Sequence, residues 1–257
     1  MAKSFPGFPQ EGIAFLRGLK NNNNREWFQP RKEIFDLRVK APMEQLVDAL
    51  NSHFLRFAPH YITDPKKAIY RIYRDTRFSK DKTPYKTHIA ASFSRAGMEK
   101  HVSAGYYFSV APEEIEVAAG VYMPGPGELR SIRNHLAAHH EEFRKILRAA
   151  TLRKLMGELW AQQLSRVPKG FSPNHPAADL IRYKHWTLFD TRLDPALILT
   201  PQLLPELVKR FQAMASFVEF LNRPLIGNRA TIPPPALPPR NTPPQRKRLH
   251  RSKTSVK

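Results

Sequence analysis

Apolar residues recur at helical spacing in four stretches of the chain. The first covers residues 9–19 and the second residues 30–54, where Pro42 is expected to kink or divide the helix. Two more stretches follow at 129–159 and 201–221. Residues of one helix face recur every three or four positions, so these stripes predict helices towards both ends of the chain.

In the middle of the chain the pattern shortens to the alternation that is typical of strands. Four runs rich in Ile, Val, Tyr and Phe are separated by turn residues, and they cover 68–76, 87–94, 102–111 and 115–122. A further strand is predicted at 185–189, after a short helix at 177–183. Sequential strands without helices between them indicate an antiparallel meander. We predict an α+β fold within a single domain, residues 1–227, in which N-terminal and C-terminal helices cover an antiparallel sheet of about four or five strands.

The two faces of this predicted sheet differ in character. One alternation set is apolar and includes Phe93, Phe108 and Val117. The other set is small and polar, and its members are His88, Ala90, Ser92, Gly105, Tyr107, Ser109, Ala118, Gly120 and Tyr122. Small residues on a sheet either form the floor of a shallow ligand groove, here with His88, Tyr107 and Tyr122 at the rim, or let a helix pack closely.

Composition narrows the classes of function. The 257 residues carry a formal net charge of +20, which favours an anionic partner such as a small anionic molecule or a nucleic acid. The chain has no cysteine, which excludes disulfides, thiolate catalysis and cysteine-ligated metal sites. No transmembrane segment and no apolar export segment are recognisable, so a cytoplasmic location is expected.

Residues 228–257 differ from the rest of the chain. They contain three proline clusters and eight basic residues without a single acidic one, so this segment is predicted to be a disordered tail. Its basic run at 245–251 is suited to attract nucleic acid or anionic lipid, and a merely solubilising role is the alternative.

The segment Arg-Ile-Tyr-Arg-Asp-Thr-Arg-Phe-Ser-Lys-Asp-Lys-Thr-Pro-Tyr, residues 71–85, combines closely spaced arginines, lysines and aspartates. One interpretation is a buried Arg-Asp-Arg network that fixes the register of the strand, with its donors also bound to carbonyls of a neighbouring loop. The other is an anion site, because guanidinium groups outnumber the carboxylates and suit phosphate or carboxylate. The residues predicted to bind the ligand are Arg71, Arg74, Arg77, Lys82 and Tyr85.

The same segment allows an enzyme as the alternative. Asp75, Asp81 or His88 would then act as the acid or base beside the arginines. Neither a metal nor a cofactor is expected. The pair His139 and His140 lacks the spacing of metal-binding histidines, and the glycine patterns of nucleotide-binding loops are missing.

Residues 71–85 resemble the signature Arg-x-x-Arg-Asp-x-Arg-Phe-x-x-x-Asp/Asn-Lys-x-x-Tyr of a bacterial conserved-hypothetical family, the domain of unknown function 2461 (DUF2461). Residues 23–28, 105–107 and 168–171 are also similar to that family. The resemblance covers about residues 5–222 and leaves the proline-rich tail outside. It implies a family without an established activity, so any function must be argued from the residues themselves.

Overall fold

The computed structural model describes residues 3–98, 100 and 102–226, and the predicted disordered tail with its nucleic-acid contact lies outside them. The longer helices are α1 (Gln10–Asn21), α2 (Ala41–Phe57), α3 (Pro126–Arg148), α4 (Ala150–Met156) and α5 (Leu203–Ile226). Short α-helical turns lie at Arg25–Phe28, Lys32–Ile34, Pro65–Ala68 and Ala178–Ile181, with 3-10 turns at Gln29–Arg31, Pro59–Tyr61 and Pro195–Leu199. No helix within the described residues is long and apolar enough to cross a membrane.

Five strands form one sheet, and every pair of neighbours in it is antiparallel. They are β1 (Ile89–Ser94), β2 (Gly105–Ala111), β3 (Glu114–Val121), β4 (Leu159–Trp160) and β5 (Trp186–Asp190), in the order β1-β2-β3-β5-β4. The α+β prediction and the antiparallel sheet are therefore confirmed. The short edge strand β4 falls in a stretch that was predicted to be helical, because Gly157 at φ 73° ends α4 two residues earlier.

The strand predicted over residues 68–76 is wrong. Ala68 ends a short helical turn, and beyond it only isolated bridges form, between Ile69 and Ala91 and between Tyr73 and Tyr85. A run rich in Ile and Tyr forms a strand only where a neighbouring strand offers continuous backbone hydrogen-bond partners. Here residues 69–88 leave the sheet edge and return to it, and we call this segment the arm.

Pro42 marks a change in the second helical region, as the sequence indicates. Residues Phe35–Lys40 form a π-helical segment that passes directly into α2. Proline has no N–H to donate, so it cannot bond the carbonyl of Arg38 one turn earlier. Gly12 of α1 lies against that carbonyl, where a β-carbon would come within 2.1 Å of the oxygen. The missing side chain thus allows α1 to pack closely on the π-helical segment.

The apolar face of the sheet forms the main core together with α2 and α5. Phe211 of α5 lies at its centre, with ring centroids 5.2 Å from Tyr106, 5.7 Å from Phe54 and 6.2 Å from Phe93. The predicted alternation is confirmed by the core cluster, which includes Ala91 and Ala119 but not their neighbours Ala90 and Ala118.

A buried asparagine ties the end of α5 to the start of β2. The side chain of Asn222, fully buried, donates to the hydroxyl of Tyr61 at 2.7 Å and to the carbonyl of Ala104 at 2.9 Å. It also accepts from the N–H of Ala104 at 2.8 Å. Because Gly105 begins β2 at the next residue, this contact sets where that strand enters the sheet.

We expect Asn222→Ala to lower the free energy of unfolding by about 3 kcal/mol, because it leaves three buried polar groups without their partner. Urea unfolding measures the change. The control Asn21→Ala, at the exposed end of α1, should stay within about 0.5 kcal/mol of the parent protein. A loss below about 1 kcal/mol for Asn222→Ala would contradict the assigned role.

Candidate functional site

The arm runs out and back beside the edge strand β1 as an irregular hairpin. The N–H of Arg74 donates to the carbonyl of Pro84 at 2.9 Å, and the N–H of Lys86 donates to the carbonyl of Ile72 at 2.8 Å. At its base the N–H of Tyr70 donates to the carbonyl of Ala90 on β1 at 2.9 Å. The arm therefore has a defined base at the sheet and a tip that projects from it.

Tyr85 holds the returning half of the arm to the body of the domain. Its ring, 3% exposed, is stacked on Phe28 with centroids 4.2 Å apart. The side-chain amide of Asn23 donates to the Tyr85 carbonyl at 2.9 Å, and its oxygen accepts from the Tyr85 N–H at 3.0 Å. Tyr85, one of the predicted ligand residues, thus lies in the interior as an anchor.

Ion pairs and hydrogen bonds close the tip of the arm. The guanidinium of Arg74 donates to the Asp81 carboxylate and to the Thr83 hydroxyl. The ammonium of Lys82, another predicted ligand residue, donates to the carbonyl of Thr76 at 2.9 Å. Hydrogen bonds from the N–H of Thr83 and from Arg74 lower the pKa of Asp81 to about 2.

A second pair forms on the same tip. Arg77 donates to both carboxylate oxygens of Asp75, at 3.0 Å and 2.7 Å. These bonds lower the pKa of Asp75 to about 2. Both aspartates are consequently ionised at neutral pH and engaged by their own loop. Arginine pairs with aspartate as the network interpretation predicts, but the pairs are exposed and close a loop instead of being buried on a strand.

The small polar face of the sheet opens into a groove of about 410 Å³. Residues from all five strands line it, and so do the arm base and the loop before β2. The groove-facing residues are Tyr70, Ser92, Ser94, Lys100, Ser103, Gly105, Tyr107, Glu116, Ala118, Gly120, Tyr122, Trp160, Thr187 and Phe189. Of the two alternatives for this face, the structure supports a groove, and Tyr107 and Tyr122 line it as expected, whereas His88 does not.

The floor of the groove is a row of small residues that pair across neighbouring strands. Ser94 lies opposite Gly105, Gly105 opposite Gly120, and Gly120 opposite Thr187. Gly120 has φ +130°, and a β-carbon there would lie 2.0 Å from the carbonyl oxygen of Trp186. Its glycine is therefore required by the backbone as well as by the open floor. The row ends at Trp160, which lies opposite Thr187.

Positive charge collects at the β1 end of the groove, around Tyr70. The ammonium nitrogen of Lys100 lies 3.9 Å from the centroid of the Tyr70 ring, and that of Lys86 lies 5.1 Å from it. Burial and the neighbouring charge of Arg71 lower the pKa of Lys86, and burial and Lys86 lower the pKa of Lys100. Within the described residues, no carboxylate lies within 4.0 Å of these three cations.

Polar groups also line the middle of the groove. Glu116 is half-buried and accepts from the Ser109 hydroxyl at 3.3 Å, and burial raises its pKa. Burial and this nearby carboxylate raise the pKa of Tyr107 to about 12. The hydroxyl of Ser103, a residue only 4% exposed, has no hydrogen-bond partner among the residues that the structure describes. A buried hydroxyl without a partner beside a groove is a ready hydrogen-bonding group for a ligand.

The predicted site residues are thus divided between two places. Arg74, Arg77 and Lys82 lie at the arm tip, whereas Arg71 is exposed nearer the base of the arm and lines a separate pocket with Phe28 and Tyr73. His88 precedes β1 and is half-buried, and burial and Lys86 lower its pKa.

The sequence pattern did not single out Lys100, Glu116 or Trp160 as functional residues. Glu116 carries a signal, because it shares the alternation set of Ala118 on β3. Lys100 and Trp160 carry none, since both come from segments outside the predicted strands. Within the described part of the chain, no cluster of three or more His, Asp or Glu side chains is placed to hold a metal ion.

Together these features define a two-layer α+β domain, with helices on one face of an antiparallel sheet and a partly cationic groove on the other. The family model described as "Conserved hypothetical protein (DUF2461)" matches residues 11–220. The chain therefore belongs to this family. None of the curated proteins compared with the chain matches it.

The ion pairs of the arm tip can be separated by titration. We expect Arg77→Gln to raise the pKa of Asp75 from about 2 only part of the way to 3.8, because the N–H of residue 77 and the charge of Arg71 still act on that carboxylate. The pKa of Asp81 should stay unchanged. Arg74→Gln should raise the pKa of Asp81 only in part, because the N–H of Thr83 still donates to that carboxylate. Carboxyl-carbon NMR between pH 5 and about 1.5 measures both values.

The sign of the pH effect follows from these lowered values. A carboxylate whose pKa is depressed in the folded state stabilises it above about pH 4, and this contribution is lost as the pH falls towards 2. If either substitution shifts both aspartates equally, the two ion pairs are not separate and the assignment is wrong.

Proposed function

We propose that this domain binds a small anionic ligand in the groove, with the anionic group at the end where Lys100 and Lys86 meet the ring of Tyr70. The observation that carries the proposal is the convergence of two ammonium groups on the ring of Tyr70, at 3.9 Å and 5.1 Å. Carboxylates neutralise the arginines of the arm tip, but none of the described carboxylates pairs with these lysines.

The unfavourable electrostatic energy of these clustered ammonium groups points to an anionic ligand. Half-buried ammonium groups lose hydration and repel each other, and this is the physical cause of the lowered pKa values of Lys86 and Lys100. A phosphate or carboxylate at the same place would offset both effects with charge-assisted hydrogen bonds. The Ser103 hydroxyl, which lines the same groove, would add a neutral donor.

In this proposal the main contribution of the arm is to position charged side chains beside the groove. Arg71 and Lys86 lie on its outgoing and returning halves near the base, so the contacts that close the arm bring their charges together. Arg74, Arg77 and Lys82 hold the tip, and Tyr85 holds the returning half against Phe28. Of the five predicted ligand residues, Arg71 thus adds charge beside Lys86 without lining the groove, and the other four hold the arm in place.

The contacts favour a binding function over the enzyme alternative. Asp75 and Asp81 are ionised and engaged at the arm tip, where they pair with Arg77 and Arg74. His88 is held towards its neutral form and would be the remaining candidate for a base. The cationic end of the groove is suited to hold an anion, whether or not a reaction follows.

Thermal melting of the full chain with inorganic phosphate or sulfate tests the proposal. A ligand that binds only the native state, at a concentration 100 times its dissociation constant, adds about 2.7 kcal/mol to the free energy of unfolding. This should raise the Tm by about 5 °C or more. Lys100→Gln should remove most of this rise, because it removes the ammonium group that lines the groove.

Lys80→Gln is the matched control, because it removes the same charge from an exposed lysine of the arm tip. Its Tm rise should equal that of the parent protein. Equal losses in the two variants would mean that anions bind only through the overall positive charge. The absence of any rise with either anion would overturn the proposed site.

A further inference from the structure

The end of the groove opposite the lysines is aromatic. Tyr122 and Trp160 are 53% and 52% exposed. Their rings lie nearly parallel, at 15°, with centroids 6.4 Å apart. The ring of Phe189, on the neighbouring strand, lies 6.0 Å from Trp160. Large aromatic surfaces that converge in one groove and remain open to solvent are typical of a binding surface for an apolar or planar group.

The floor sets the separation between the two ends. Ser94, Gly105, Gly120 and Thr187 form a row across β1, β2, β3 and β5 and leave the path to Trp160 on β4 without a large side chain. Neighbouring strands are about 4.8 Å apart, so β1 and β4 are separated by about 19 Å. Lys100 and Trp160 both line this one groove, and their long side chains shorten the gap that a ligand must span.

A carboxylate lines the groove between these ends. Glu116 accepts one hydrogen bond, from Ser109, and a carboxylate has capacity for several more. It would repel the anionic part of a ligand, so that part is directed to the lysine end. Hydroxyl or amino groups are the partners that a half-buried carboxylate accepts favourably.

We propose that the ligand is a nucleoside phosphate, with its phosphate at Lys100, its ribose hydroxyls at Glu116 and its base on the ring of Trp160. The inference rests on the proposed function, because it assumes the anion site at Lys100. It adds the class of ligand, which combines a planar ring, a hydroxyl-bearing spacer and a phosphate in the order that the groove presents them. A simple anion uses one end of the groove, and a nucleoside phosphate uses its full length.

Binding of adenosine 5′-monophosphate, ribose 5-phosphate and adenosine to the full chain separates these contributions. Calorimetric titration at about 0.15 M salt should show the nucleotide binding about tenfold or more tightly than ribose 5-phosphate, as expected for one stacked base. Trp160→Leu should bring the nucleotide to the affinity of ribose 5-phosphate and leave ribose 5-phosphate itself unchanged. The nucleotide should also quench the fluorescence of Trp160, and this change should be absent in Trp160→Leu.

Phe78→Leu is the matched control, because Phe78 is an aromatic residue that is 96% exposed at the arm tip, outside the groove. This variant should keep the preference for the nucleotide. Glu116→Gln should weaken the binding of the nucleotide more than the binding of inorganic phosphate, because inorganic phosphate has no ribose hydroxyl to donate to this carboxylate.

The outcomes separate this inference from the proposed function. If ribose 5-phosphate binds through Lys100 as tightly as the nucleotide, the anion site stands and the ring specificity is wrong. The inference also fails if the preference for the nucleotide survives in Trp160→Leu or is lost in Phe78→Leu. If neither phosphate compound nor inorganic phosphate binds, both the inference and the proposed function are overturned.

Discussion

The burial of one face of the sheet against the helices is the constraint on which the other features of this domain depend. Phe211 packs among Phe54, Phe93 and Tyr106, and these contacts require β1 and β2 to turn Phe93 and Tyr106 to the same side of the sheet. Because side chains alternate along a strand, the residues between them must face the other way. The small residues of that second face then form the floor of the groove. The core thus determines the position of the candidate site, although no residue of the site needs to be apolar for folding.

The arm has many charged residues in its sequence, but in the fold only some of them are paired with opposite charges. At the tip, Arg74 and Arg77 pair with the aspartates that lie within a few residues of them. At the base, Lys86 meets Lys100 from a different segment, and no described carboxylate accompanies them. Local pairs form wherever opposite charges are neighbours along the chain, whereas an unbalanced charge arises where separate segments meet. The two half-buried ammonium groups therefore meet at the base of the arm rather than in its most highly charged run.

The alternation of small and large residues was sufficient to predict β1, β2, β3 and β5, because a half-buried strand carries its period in its own sequence. The same reasoning failed over residues 68–76, which are rich in Ile and Tyr, because Tyr73 has only the isolated partner Tyr85. It also failed at β4, where a positive φ at Gly157 ends α4 and two residues suffice to pair with β5. In both places the outcome depends on which segment lies alongside, and no local pattern contains that information.

From the sequence alone follow the α+β class, the antiparallel sheet, the unequal faces of that sheet, the basic character of the chain and the DUF2461 signature in residues 71–85. These properties depend only on composition and on residues that are close together along the chain, and the sequence contains both. The tertiary structure alone decided that Tyr85 is an anchor, that Asp75 and Asp81 are engaged, and that Lys100 and Trp160 lie at opposite ends of one groove. Those assignments require residues far apart in the chain to meet, and their meeting is set by how the helices and the sheet pack together.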